Sequence, residues 1–251
     1  MVKNTPDAKR TYRGLTADVT YRMSSLQLGG NYTLSWSRSN VDGEDAGSGP
    51  IRATINTYPE YRQASWNSPV GYTFNDQRHK VRAWLSYHVP GIESLGALDV
   101  GVLQRFDSAL PYDASGVVNP LAYVNNPGYL TPPSTVTYYF SARNGLRWHG
   151  LRSTDVAVNW SKKIPQLRTT QVFFRGVVAN VLNRAAVVSG DSTILTAASP
   201  GSATGLQPFN PFTTQSVQGT NWIYGPNFGQ PTGTGSYQPT RTFSCSVGVR
   251  F

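Results

Sequence analysis

With 251 residues, 39% hydrophobic content and a mean hydropathy of −0.35, the chain is too polar for a helical membrane protein, and no apolar run reaches the ~20 residues a spanning helix needs. A β-barrel escapes this exclusion, because only alternate residues of a strand face lipid. The net charge of +9 is compatible with nucleic acid, an anionic membrane surface or an anion-conducting lumen, but no dense Lys/Arg cluster is present and scattered solubilising charge also accounts for it. Cys245 is the single cysteine, so an internal disulfide is excluded, and its place among apolar residues makes it a small hydrophobe.

The chain opens on Met1-Val2-Lys3-Asn4-Thr5-Pro6, without the apolar run of an export signal, so an outer-membrane reading implies a fragment. Alternation with a period of two then marks seven strand candidates. The first covers residues 12–23, with Leu15, Ala17, Val19, Tyr21 and Met23 on one face. The second, 26–38, sets Leu26, Leu28, Gly30, Tyr32, Leu34 and Trp36 against Gln27, Gly29, Asn31, Thr33, Ser35 and Ser37. After about forty residues rich in Gly, Pro, Asn and aromatics, the third covers 78–89, with His79, Val81, Ala83, Leu85, Tyr87 and Val89 on one face. The fourth spans 97–107, although Gln104 and Leu103 interrupt its two faces. The fifth, 151–161, is followed by a short basic turn, Lys162-Lys163-Ile164-Pro165. The sixth, 170–183, is apolar on both faces at Val172-Phe173-Phe174 and at Val177-Val178. The last, 240–251, carries Phe243, Cys245, Val247, Val249 and Phe251 on one side, and Phe243, Val247, Val249 and Phe251 would form a C-terminal assembly signal.

The connections alternate short and long along the whole chain. Short periplasmic turns and long extracellular loops produce this asymmetry in an outer-membrane barrel, and a soluble sandwich gives no reason for it. Aromatic residues agree: Tyr21, Tyr87, Trp160 and Phe251 end strands running one way, and Trp36 and Phe106 end strands running the other, as interface girdles do. The expected fold is therefore all-β, a partial antiparallel transmembrane β-barrel of about seven strands. Single-chain bacterial barrels close with even numbers of strands, so N-terminal strands are expected to be missing, with several chains sharing one barrel as the less favoured alternative. On the polar faces Lys80, Arg82, Arg105 and Arg250 are candidates to line the lumen.

Several stretches resemble the C-terminal barrel region of TonB-dependent outer-membrane receptors, nearest to the Oar-like subgroup with an N-terminal carboxypeptidase-regulatory-like domain. They are Tyr58-Pro59-Glu60-Tyr61, Trp66-Asn67-Ser68-Pro69, Asp76-Gln77-Arg78-His79-Lys80-Val81-Arg82, Ala109-Leu110-Pro111-Tyr112, Asn180-Val181-Leu182-Asn183 and the terminal Phe251. Ala109 stands where the family's Gly-x-Pro-Tyr begins with glycine. The resemblance implies residues 1–251 are the last third or so of a 22-stranded barrel, without plug domain or TonB box. It implies uptake of a bulky nutrient such as a siderophore, cobalamin or an oligosaccharide. Its implied partners are outer-membrane lipid, the barrel assembly machinery, and the TonB complex through the missing parts.

No enzymatic chemistry is legible, and no cofactor or nucleic-acid partner is expected. His79, His88 and His149 lack zinc spacing, and Asp42-Gly43-Glu44-Asp45 lacks the EF-hand pattern. No phosphate-binding or dinucleotide glycine pattern and no nucleophile elbow occur. In the long loops Tyr58, Tyr61, Trp66, Tyr72, Trp222 and Tyr224 could stack on a sugar or aromatic ligand, or pack the loops against each other. A passive porin-like channel and a soluble carbohydrate-binding β-domain remain as alternatives.

Overall fold

The structure, a computed structural model, describes residues 9–40, 69–123, 136–167, 170–197 and 205–251. Its first half holds β1 (Arg10–Arg22), β2 (Leu26–Ser39), β3 (Gly71–Tyr72), β4 (His79–His88), β5 (Ala97–Asp107), β6 (Pro111–Tyr112) and β7 (Ser115–Val118). The second half holds β8 (Val136–Tyr139), β9 (Leu146–Arg147), β10 (Leu151–Lys163), β11 (Gln171–Ala179), β12 (Ile194–Thr196), β13 (Trp222–Tyr224) and β14 (Thr242–Arg250). The seven long strands form one antiparallel sheet in chain order, β1-β2-β4-β5-β10-β11-β14, and β3 pairs with the end of β2. Among the described residues the sheet is open, since β1 and β14 each have one neighbour. Among the described residues of the long connections lie the small two-stranded sheets β6-β9, β7-β8 and β12-β13.

Directly opposed residues of an antiparallel pair share a face, so the register turns sequence alternation into rows across the sheet. One row reads Tyr21, Leu28, Leu85, Val102, Val156, Val178 and Phe243, apolar from edge to edge. The row beside it continues Leu26, Tyr87, Val100, Val158, Gly176 and Cys245. On the opposite face one row reads Asp18, Asn31, Arg82, Arg105 and Ser153, and another His88, Asp99, Asn159, Arg175 and Ser246. The sheet therefore has one apolar and one polar side, as each strand's alternation predicts.

The strands are also staggered. Arg22, the last residue of β1, lies on the row that reaches Ser244, yet β14 runs on to Arg250. The slip is about one residue per neighbour, and with ~3.3 Å along a strand against ~4.8 Å between strands it slants the strands by roughly 35°.

Two sequence expectations are corrected. The sixth strand, expected to reach residue 183, ends at Ala179 because Asn180 turns to positive φ (49°) and gives its side chain to three backbone groups. Lys162 and Lys163, expected in a turn, belong to β10, which pairs with β11 through Lys163 and Gln171. The double-sided apolar character of β11 also has a cause. Phe173 faces the polar side and lies over its partner Gly248, so close that a Cβ there would sit 2.6 Å from the ring, with the Arg250 guanidinium 4.8 Å from the ring centre. Trp84 covers Gly29 in the same way. Cross-strand aromatic–glycine pairs of this kind pin register.

The buried apolar core lies in the loops. Ala114, Val118, Tyr138, Ile194 and Trp222 are its buried members among the described residues, and none belongs to the seven long strands.

Candidate functional site

The long strands are built inside out relative to a soluble protein. Their buried residues are Gly29, Ser35, Ser39 and Asp107, all on the polar face. No described residue of the apolar face is buried: Leu15 is 66% exposed, Val19 65%, Phe243 74% and Val247 79%. Contiguous exposed apolar rows across seven strands are what monomeric soluble proteins rarely leave in water, and such patches mark contact with a membrane or partner.

The aromatic candidates fall on this same face. Tyr21, Tyr87 and Trp160 lie toward the short-turn end, where Trp160 donates its indole N–H to the Leu95 carbonyl at 3.1 Å. Trp36 and Phe106 lie toward the long-loop end, opposite Arg13 and Arg152. Phe251 follows the last strand and is 93% exposed. Phe243, Val247 and Val249 occupy the apolar side of the edge strand β14.

The lumen candidates share the polar face but not one place. Arg82 and Arg105 are register partners, and both reach Asp107: Arg82 Nη1 donates at 2.7 Å to one carboxylate oxygen and Arg105 Nε at 2.8 Å to the other. Lys80 is paired in register with Asp107. Asp107 is thus a buried anion held between two guanidiniums, which satisfies both oxygens and offsets their lost hydration. Arg250 stands apart, over Phe173 near the edge. Each carboxylate of the long strands, Asp18, Asp99, Asp107 and Asp155, falls on the polar side.

At the long-loop end a second buried carboxylate gathers several of the motif residues. Asp76 accepts from the Ser37 amide at 2.7 Å and from Arg147 Nη2, and Arg78 Nη2 lies 3.5 Å away. Tyr72 carries three guanidiniums, Arg38, Arg78 and Arg147, at 5.3, 5.2 and 4.9 Å from its ring centre. The Arg78 hydrogen bond and these charges hold the Tyr72 phenol below its ordinary pKa. Tyr72, on β3, is therefore an anchor for arginines from β2, from the residue before β4 and from β9.

Of the other loop aromatics, Trp222 is 5% exposed and sits in the loop core with Ala114 and Ile194. It packs the loops and presents no free ring. Tyr224 is 39% exposed and packs against Phe228, the rings tilted with centres 4.1 Å apart. Tyr58, Tyr61 and Trp66 lie outside the described residues. The contacts Trp148–Tyr112, Tyr112–Phe228, Tyr224–Phe228, Trp222–Tyr224 and Phe140–Trp222 form one continuous aromatic chain through the loops. Burial raises the Tyr112 phenol above its ordinary pKa, and the neighbouring Tyr224 adds to the shift. Sequence reasoning missed Tyr112, Trp148, Phe140 and Phe228 as members, because they come from connections with no periodicity. Beside the chain a hollow of about 430 Å³ is lined by Val118, Tyr123, Phe209, Asn119, Gln207 and Asn221.

Among the described residues no group of three or more His, Cys, Asp or Glu side chains is placed to hold a metal. No helix there is long and apolar enough to cross a membrane, which leaves a strand-built membrane protein untouched. Comparison with protein-family models, with curated proteins and with solved structures found no match.

Proposed function

We propose that the chain is the C-terminal part of the β-barrel of a TonB-dependent outer-membrane receptor, serving uptake of a bulky nutrient rather than catalysis. One observation carries the membrane reading: the seven long strands bury no described residue of their apolar face, with Leu15, Val19, Phe243 and Val247 the most open, while their polar face buries Ser35, Ser39 and Asp107. In lipid that arrangement puts apolar side chains outward and the charged rows toward a polar interior. Strands of 9 to 14 residues cover the ~9–11 residues that a tilted strand needs to cross the hydrocarbon. The slant of roughly 35° lies within the tilt range of membrane barrels.

The two open edges require more strands, since unpaired backbone groups in hydrocarbon cost several kcal/mol each. On this reading the three short connections face the periplasm, the aromatic-cored loops face outward, and Arg82, Arg105 and Asp107 border the lumen. The choice of a receptor over a passive channel rests on the sequence resemblance. Asp76-Gln77-Arg78 and Asn180-Val181-Leu182-Asn183, two of its motifs, sit at strand–loop junctions where their side chains fix the chain. Reading the coding DNA upstream of Met1 in frame tests it. Further alternating strands preceded by a plug domain are expected. More strands with no plug would favour a porin-like channel, and a stop codon directly upstream would contradict the receptor.

A further inference from the structure

The apolar face ends in opposite ways at its two borders. Toward the short turns it carries Tyr21, Tyr87, Trp160 and Phe174, with Lys162 as the basic residue of that end. Toward the long loops it carries Arg13 and Arg38, flanking Trp36, and Arg152 beside Phe106. Two hollows open there. One of about 550 Å³ is lined by Lys9, Arg13, Trp36 and Arg38. The other, about 660 Å³, is lined by Phe106, Trp148, Arg152 and Arg184. Each places an aromatic ring beside at least two basic side chains.

These cations lack a carboxylate partner among the described residues, although Arg38 lies over the Tyr72 ring and Arg152 over the Phe106 ring. Among the described residues the ion pairs use Arg78, Arg82, His88, Arg105 and Arg147, and none uses Lys9, Arg13, Arg38, Arg152 or Arg184. No carboxylate of the long strands lies on their face. Five basic residues, without a carboxylate partner among the described residues and ranged along the border of an apolar surface, present a positive stripe at headgroup depth, with rings that suit the same boundary.

We infer that this rim binds the phosphate groups of anionic lipid headgroups in the leaflet on the long-loop side. The inference rests on the reading of the apolar face as lipid-facing, and adds a partner for its border. Charge complementarity selects the occupant: guanidiniums take phosphate oxygens in paired hydrogen bonds, and acyl chains continue onto the apolar rows below. A zwitterionic headgroup, with its own cation, would leave the stripe uncompensated.

The test uses the full chain in phosphatidylcholine vesicles doped with dibrominated phosphatidic acid or, separately, dibrominated phosphatidylcholine, reading quenching of tryptophan fluorescence. Quenching by both lipids is expected, with phosphatidic acid favoured about fivefold or more, as one basic residue near an anionic surface already confers. The preference should fall in high salt, vanish in the Arg13→Gln/Arg38→Gln/Arg152→Gln variant and persist in the corresponding Lys variant. Equal quenching by the two lipids, or a preference surviving the Gln variant, overturns the inference and leaves the membrane reading standing. A preference abolished by millimolar inorganic phosphate at constant ionic strength overturns the lipid as occupant. Absence of quenching by either lipid removes the membrane reading, and the inference with it.

Discussion

Single residues decide where the strands stop and how the loops attach. Asp76 is wholly buried at its side chain and joins segments 71 residues apart through Arg147. Asp76→Ala strands a guanidinium and an amide, and is expected to cost about 3 kcal/mol in a denaturant titration of the detergent-solubilised chain. Asn180 holds positive φ, donates to the Arg184 and Pro239 carbonyls and accepts from the Arg184 amide. Asn180→Ala should therefore cost about 2 kcal/mol by the same assay, whereas the exposed Asn227 should tolerate alanine. Asp191 lies outside the long strands, and hydrogen bonds from the Thr193 hydroxyl and amide hold its carboxyl below the ordinary value. A lowered folded-state pKa gives a contribution present above the unfolded carboxylate pKa and lost as pH falls through the folded one. Hydrogen exchange at the Thr193 amide should accordingly show protection lost on acidification through that window, relative to the intrinsic exchange rate, and Asp191→Asn should remove the dependence. The sequence shows Asp76 and Asn180 as parts of motifs. It cannot show their partners, because Arg147 and Pro239 become neighbours only through the sheet order.

Period two is a local property, and the long elements were legible for that reason. The fourth strand has the expected bounds, 97–107, even though Gln104 and Leu103 break its alternation. Gln104 sits on the apolar face, where it accepts from the Thr154 hydroxyl at 2.6 Å, so the polar group is paired across the strands. Phe173 looked out of place only because its cover, Gly248, is some seventy residues away. The short strands β6 to β9, β12 and β13 are not legible in the sequence, since two to four residues carry no period. The faces themselves are testable. Val102 and Ser86 sit on adjacent central strands, one on each side of the sheet. In vesicles Val102→Arg should cost about 2–4 kcal/mol and Ser86→Arg under about 1 kcal/mol, measured by urea unfolding. Equal costs would mean that lipid does not distinguish the two sides.

For the whole molecule, the distribution of burial outweighs composition. A mean hydropathy of −0.35 suits a water-soluble protein, yet among the described residues the buried apolar side chains lie in the loops. Among the described residues, the apolar rows of the long sheet meet no second layer of the kind that normally completes a domain. Hydrocarbon would supply that layer, and further strands would pair the edges of β1 and β14. The most direct measurement uses the Cys245→Ser chain in phosphatidylcholine vesicles, with single cysteines carrying an environment-sensitive fluorophore at positions 84 to 87 and 100 to 103. The account predicts strict alternation: labels at Leu85, Tyr87, Val100 and Val102 are blue-shifted and quenched by brominated lipid, and those at Trp84, Ser86, Gly101 and Leu103 are not. Uniform emission, or quenching on the Arg82–Arg105 side, would contradict it.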